Sequence, residues 1–416
     1  MELCKPEPLE QKSFTRRKEW SSDCSFFLIW QVTTVSTEYD LLVKNGSLLD
    51  AGSGLNQTVK DIGIQDGVIR TIQDEIFEET AGTVIDAAGT IICAGLIDLH
   101  VHVWDGVAHL AIPPDPNCVG KGVTTAFDAG SAGADTYPGF QKYVIDVSAT
   151  RIKAFLHISS QGQLSRNIGE LADLQYADVD RAIKTCESYK DSIVGIKIRM
   201  SDRIVGENGK EGLKRALDVC EATGLPLMIH PNASPISFSG MMNELRAGDI
   251  VTHCYHRSDT GILESDGTLR EDASKARDKG IHFDVGHGAG SFSFDVAEAA
   301  LRQGFEPGTI SSDLHKYNLD GPVYSLLETV SKFIHLGMPL ETAIEKVTSA
   351  PARTMGMLGE IGALREGALA DLTLIRTQEG PAEFTDALGS KRTGDLRLEH
   401  VSTIRAGRVY APGILD

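Results

Sequence analysis

Two histidines separated by a single residue, His100 and His102, close the apolar run Gly95-Leu96-Ile97-Asp98-Leu99-His100-Val101-His102. In an extended chain, residues two apart point to the same side, so both imidazoles can reach one cation. An HxH pair alone is weak evidence for a metal. Four further metal-compatible groups stand at or just past the ends of other apolar runs: Lys197, His230, His253 and Asp313. Each has an ordinary explanation taken singly. Lys197 would snorkel from a wall, His230 would cap a strand, and Asp313 would be a helix N-cap before Lys316. The conjunction decides, because five separate segments each supply such a group. Nitrogen and oxygen donors of this kind suit Zn2+ first, with Mn2+ or Fe2+ as alternatives.

Positioning such groups requires a scaffold that gathers strand ends. Eight short apolar runs follow one another at 91–101, 123–129, 152–158, 193–198, 225–229, 250–255, 281–285 and 309–314. Segments of helical spacing lie between them, among them 180–189, 212–222 and 294–302. This alternation predicts an α/β fold, a (β/α)8 TIM barrel whose C-terminal strand ends carry the chemistry. An open doubly wound sheet would usually show a glycine-rich phosphate loop after its first strand, and GxGxxG is absent there.

Before the barrel, Asn45-Gly46 and Asp66-Gly67 divide short strands and read as hairpin turns. After it, a strand over 372–375 precedes a pair, 401–405 and 408–410, joined by Ala406-Gly407. The early and late strands predict a small β-sandwich domain built from both chain ends, over 38–90 and 358–416. The barrel, over 91–357, is inserted between them. Residues 1–37 match neither pattern and read as an N-terminal extension of low expected order.

The 416 residues, 41% hydrophobic and 24% charged, have the composition of an ordinary globular protein with room for one large core and a satellite. A formal net charge of −18 argues against nucleic-acid and anionic membrane partners. Seven scattered cysteines without a CxxC spacing point to a reducing, cytoplasmic location. The apolar run 26–32 follows Arg16-Arg17-Lys18, but Glu19 and Asp23 intervene, which argues against a secretory signal.

The 95–102 run resembles the signature that opens the barrel in the amidohydrolase superfamily, which includes dihydroorotases, hydantoinases and aminoacylases. The flanks 40–46 and 362–371 are similar to that superfamily's β-domain strands. More narrowly, Gly122-Val123-Thr124-Thr125 with Asp128-Ala129-Gly130-Ser131-Ala132-Gly133, and Asp284-Val285-Gly286-His287-Gly288, resemble its amidohydrolase/deacetylase branch. Members of that branch are often labelled dihydroorotase. The resemblance runs from about Tyr39 to the C-terminus.

It implies two divalent cations. His100 and His102 would hold the more buried one with Asp313, His230 and His253 the second, and Lys197 would bridge both as an N6-carboxylated lysine. A water shared by the cations would supply hydroxide near neutrality, and Asp313 would move its proton to the departing amine or alcohol. The implied activity is hydrolysis of an amide or ester bond in a small acylated acid, of the deacetylase type. The alternative is a cyclic amidohydrolase of the dihydroorotase or hydantoinase type. The arginine that the dihydroorotase pattern leads one to expect soon after HxH is missing from Val103-Trp104-Asp105-Gly106-Val107. A metal-free scaffold would show substitutions among the ligands, and none is present. His287 and Arg199 are the candidate substrate contacts, and Cys254 is read as packing. His109, Asp105, His256 and His315 lie in nearby loops without an assigned task. Barrels of this kind commonly self-associate, so a homo-oligomer is expected.

Overall fold

The computed structural model describes residues 37–412 and the backbone pairing of Ser13–Phe14 with Val32–Thr33. The rest of the N-terminal extension, with most of its apolar run, lies outside the described residues. Seven parallel strands form a curled sheet in chain order: β1 (Leu96–Val101), β2 (Val123–Gly133), β3 (Arg151–His157), β4 (Ile193–Arg199), β5 (Leu227–His230), β6 (Ile250–Val251) and β7 (His282–Phe283). The eighth apolar run closes the ring by single parallel bridges, Asp284 with Thr309 on one side and Val101 with Leu314 on the other. The Asp313 amide donates to the His100 carbonyl at 2.7 Å across that seam. The ring is therefore complete, although its last three members are far shorter than their apolar runs. After Val251 and Phe283 the chain leaves the ladder to aim side chains at the rim.

Register sets the layering. His157 pairs with Lys197, Lys197 with Met228, and Arg199 with His230. Side chains of one face recur every second residue, so Arg199 and His230 form a polar layer one step beyond Lys197 and Met228. Beneath them an apolar cluster that includes Ile97, Phe127, Phe155, Met228 and Ile250 makes the floor. A larger cluster packs the outer helices, such as Val179–Ser188 and Gly209–Thr223, onto the strands.

The strands from both chain ends form the expected β-domain, hydrogen-bonded as one branched eight-stranded sheet. Tyr39–Asp50 is its hub. It pairs antiparallel with Leu55–Gln65 along one edge, and parallel with Ala81–Asp86 and then Ile91–Ala94 along the other. The first apolar run of the sequence is thus divided. Ile91–Ala94 joins this sheet and only Leu96–Val101 enters the barrel. Asp66-Gly67 and Ala406-Gly407 are hairpin turns with both residues at positive φ, as expected. Asn45-Gly46 is not a turn. It lies inside Tyr39–Asp50, where the ladder shifts register. A Cβ on Gly46 would sit 2.1 Å from Ile92 Cδ1, so the glycine serves close strand approach.

The two sheets are tied by an ion pair between half-buried Arg151 at the start of β3 and buried Asp371, which also accepts the Ala406 amide at 2.8 Å. Asp371→Asn leaves the half-buried Arg151 guanidinium without its counter-charge and is expected to destabilise the protein by about 1–3 kcal/mol. Chemical denaturation at pH 7 checks this, and a variant within ~0.5 kcal/mol of the parent would refute it.

Candidate metal centre

Six side chains from five strand ends meet above the apolar floor. His100, His102, Lys197, His253 and Asp313 are buried, and His230 is half-buried. The His100 and His102 Nε2 atoms each lie 3.4 Å from Asp313 Oδ1. The ring centroids of His100 and His253 are 4.9 Å apart, and those of His230 and His253 4.5 Å. His100, His253 and Asp313 offer one ligand atom each within 4.8 Å of one another. Lys197 Nζ and Asp313 Oδ1 are buried with no hydrogen-bond partner. Native interiors rarely leave such atoms unmatched, and a cation beside them would satisfy the aspartate oxygen. His253 and Asp313 are also held at positive φ, 63° and 46°. Non-glycine residues seldom adopt that conformation, and it costs of order 1–3 kcal/mol each.

The hydrogen bonds behind three of the rings set their tautomers. The Gly286 carbonyl can only accept, so His253 donates from Nδ1 at 2.6 Å and keeps its Nε2 lone pair. Ser201 gives its hydroxyl hydrogen to the Asn232 carbonyl, so His230 Nε2 donates to Ser201 Oγ at 3.3 Å and Nδ1 is free. Thr252 gives its hydrogen to Asp284, so His100 donates from Nδ1 at 2.8 Å. Burial, followed by the Lys197 charge, holds His100 and His102 well below the ordinary imidazole pKa. Burial likewise takes His253 down to about 3. Neutral imidazoles with fixed lone pairs are the form that ligates metals. Burial also draws Lys197 down to about 7, with Asp313 opposing. The donor set, the free lone pairs and the orphaned atoms all fit a cation centre.

A cavity of about 640 Å³ opens above these groups. Arg199 lines it, with Nη1 fixed at 2.9 Å by both Gln163 and Glu170. Glu170 in turn lies 3.1 Å from His157 at the end of β3. Burial works to raise the Glu170 pKa, but Arg199 and His157 outweigh it and hold the group at about 2. His109 and His315 also line the cavity, whereas Asp105 and His256 do not. Cys254 packs in the core. His287 is not brought to the cavity. Its ring stacks on Phe292, its Nε2 faces the Lys332 ammonium at 2.8 Å, and it is fully buried. The glycines around it keep it at the rim in sequence, but the ring turns outward to the packing of the helix Leu326–His335.

Sequence reasoning passed over His157, Glu170, Gln163 and Thr252. The strand-end rule that picked out Lys197 would have found His157, which ends β3 near the close of the third apolar run. Glu170 and Gln163 sit in a loop, where no periodicity marks them.

Residues 91–396 match the model of the amidohydrolase family. A deacetylase from Agrobacterium fabrum is 36% identical over 351 residues, which span 84% of this chain and 86% of that one. Among solved structures, one described as an adenine deaminase superposes with a TM-score of 0.85 at 34% identity, covering 90% of this chain and all of that one. Another, described as a dihydroorotase, has a TM-score of 0.82 at 35% identity, covering 89% and 97%. Among the described residues no helix is long and apolar enough to cross a membrane.

Two outcomes follow from this geometry. Gly130 has φ +86°, and a Cβ there would lie 2.7 Å from both Cβ and Cγ of Lys197. Gly130→Ala is expected to cost about 2 kcal/mol and to displace Lys197 in a crystal structure; an unmoved lysine would contradict the packing argument. For Glu170, a folded pKa of about 2 against the usual 4.5 means its stabilising contribution is complete above the higher value and lost as pH falls through the lower. The stability gap between the parent and Glu170→Gln is expected to be constant near neutrality and to narrow in acid. A gap that widened there would be the opposite sign.

Proposed function

The chain belongs to the amidohydrolase family, and on that premise we propose that it is a metal-dependent hydrolase that removes an acyl group from a small acylated acid. The observation that carries this reading is the pair of orphaned buried atoms, Lys197 Nζ and Asp313 Oδ1, among neutral histidines. The deacetylase name of the Agrobacterium relative supports the acyl-removing version. The family is generally dependent on two metal ions, and bound cations, Zn2+ by preference, would polarise the scissile carbonyl and make hydroxide available near neutrality.

His100, His102 and Asp313 would hold one cation, His230 and His253 the other. Lys197 would join them after its neutral amine attacks carbon dioxide and loses a proton, giving an anionic carbamate with two donor oxygens in place of a repelling ammonium. Burial favours that neutral amine. Asp313 would take the proton of the attacking water and return it to the departing amine or alcohol. Arg199, braced by Glu170 and Gln163, would orient the acid group of the substrate.

The test is a screen of the zinc-loaded protein against N-acetyl amino acids of both hands, O-acetyl hydroxy acids and dihydroorotate, repeated with Asp313→Asn. Turnover of an acetylated acid is expected, with kcat falling ~10²–10⁴-fold in the variant while bound zinc is retained. Turnover of dihydroorotate alone would replace this reading by the cyclic-amide one. Near-parental turnover in the variant would remove Asp313 as the base.

A further inference from the structure

Behind the cavity histidines, the fully buried carboxylate of Asp284 takes no part in the chemistry described above. Asp284, just past β7, accepts three hydroxyl hydrogens: Thr252 Oγ1 at 2.8 Å, Thr309 Oγ1 at 2.7 Å and Ser311 Oγ at 2.6 Å. Two of these hydroxyls continue towards cavity histidines. Thr252, with its hydrogen committed to Asp284, accepts from His100 Nδ1. Ser311, likewise committed, accepts the Gly286 amide at 3.0 Å, and the carbonyl of that same residue accepts from His253 Nδ1. The backbone reinforces the arrangement, since the Asp284 carbonyl takes the Cys254 amide at 3.0 Å, one residue beyond His253.

We infer that Asp284 is a shared positioning carboxylate for both cation positions, acting on His100 through the Thr252 hydroxyl and on His253 through Ser311 and Gly286. The inference rests on the functional reading above, in which those two histidines serve different cations. A carboxylate that holds each hydroxyl hydrogen leaves the hydroxyl oxygen only as an acceptor. At His100 that forces the ring to donate from Nδ1 and presents the Nε2 lone pair to the cavity, whereas at His253 the Ser311 oxygen holds the Gly286 peptide whose carbonyl receives the ring. The bland alternative is a polar knot that merely staples β6, β7 and the 309–314 segment together. It predicts effects on stability without a selective effect on metal binding.

The experiment is an equilibrium titration of the metal-free full chain with zinc against a competing chelator, alongside thermal melting of the metal-free proteins. The variants are Thr252→Val, Thr252→Ser, Ser311→Ala and Asp284→Asn. The parent is expected to take two equivalents. Thr252→Val should weaken one of them by ~10–100-fold, Thr252→Ser should restore it, Ser311→Ala should weaken the other, and Asp284→Asn should weaken both. Should Asp284→Asn fail to fold, the isosteric Thr252→Val, with Thr252→Ser as its rescue, decides for His100 and Ser311→Ala decides for His253. Parental affinity for both equivalents in Thr252→Val and Ser311→Ala, with only the melting temperature lowered, overturns the inference and leaves the knot. A parent that takes up no zinc at all overturns the functional reading, and this inference with it.

Discussion

A lysine amine and an aspartate oxygen buried in one cluster without hydrogen-bond partners are costly in any fold, because a buried charge needs a counter-charge or a ligand. Lys197 and Asp313 hold that position at the centre of this barrel. Around them the chain places neutral histidines rather than acids that would form ordinary ion pairs. Strand register puts Lys197 level with His157 and Met228, and Arg199 level with His230. The early ends of β6 and β7 release the chain to bring His253 and, through the next segment, Asp313 over the floor. Both adopt backbone conformations that the surrounding structure must impose.

That imposition comes from the layer behind. Each cavity histidine whose outer nitrogen is fixed by a carbonyl or a committed hydroxyl is oriented by that bond, while burial keeps the ring from titrating near neutrality. The substrate side is built differently. Arg199 is braced by a loop glutamate that is itself held by a strand-end histidine, so the guanidinium is rigid but remains at the cavity wall. One face of the site fixes lone pairs, while the other presents a guanidinium that, on the proposed reading, would meet the acid group of the substrate. The acidic protein as a whole, at net charge −18, would otherwise repel an anionic substrate.

The gathering of His100, His102, Lys197, His230, His253 and Asp313 was legible because strand ends of a parallel barrel face one way. Chemistry-bearing residues at those ends therefore converge whatever the loops do. Features that depend on side-chain direction or on partners distant in sequence were not legible. His287 follows β7 as His253 follows β6, yet its ring turns to Lys332, because a buried ammonium from a helix some forty residues later offers it a partner. Asn45-Gly46 carries the composition of a turn but lies in a strand, because Ile92 presses on it from a strand that joins the sheet later. The run 91–101 reads as one strand, since nothing local marks Gly95 as the point where the chain passes between sheets. The Thr252 and Glu170 contacts reach across strands and loops, and single-sequence periodicity carries no trace of them.

The central claim is that these six side chains surround a pair of dications. The most direct test is a crystal structure of the full chain grown with excess zinc, with anomalous difference maps collected on both sides of the zinc edge. Two peaks are expected, one beside His100, His102 and Asp313 and one beside His230 and His253, with density for a carboxylated Lys197 between them. An empty cavity, or zinc held only by surface residues, would contradict the account.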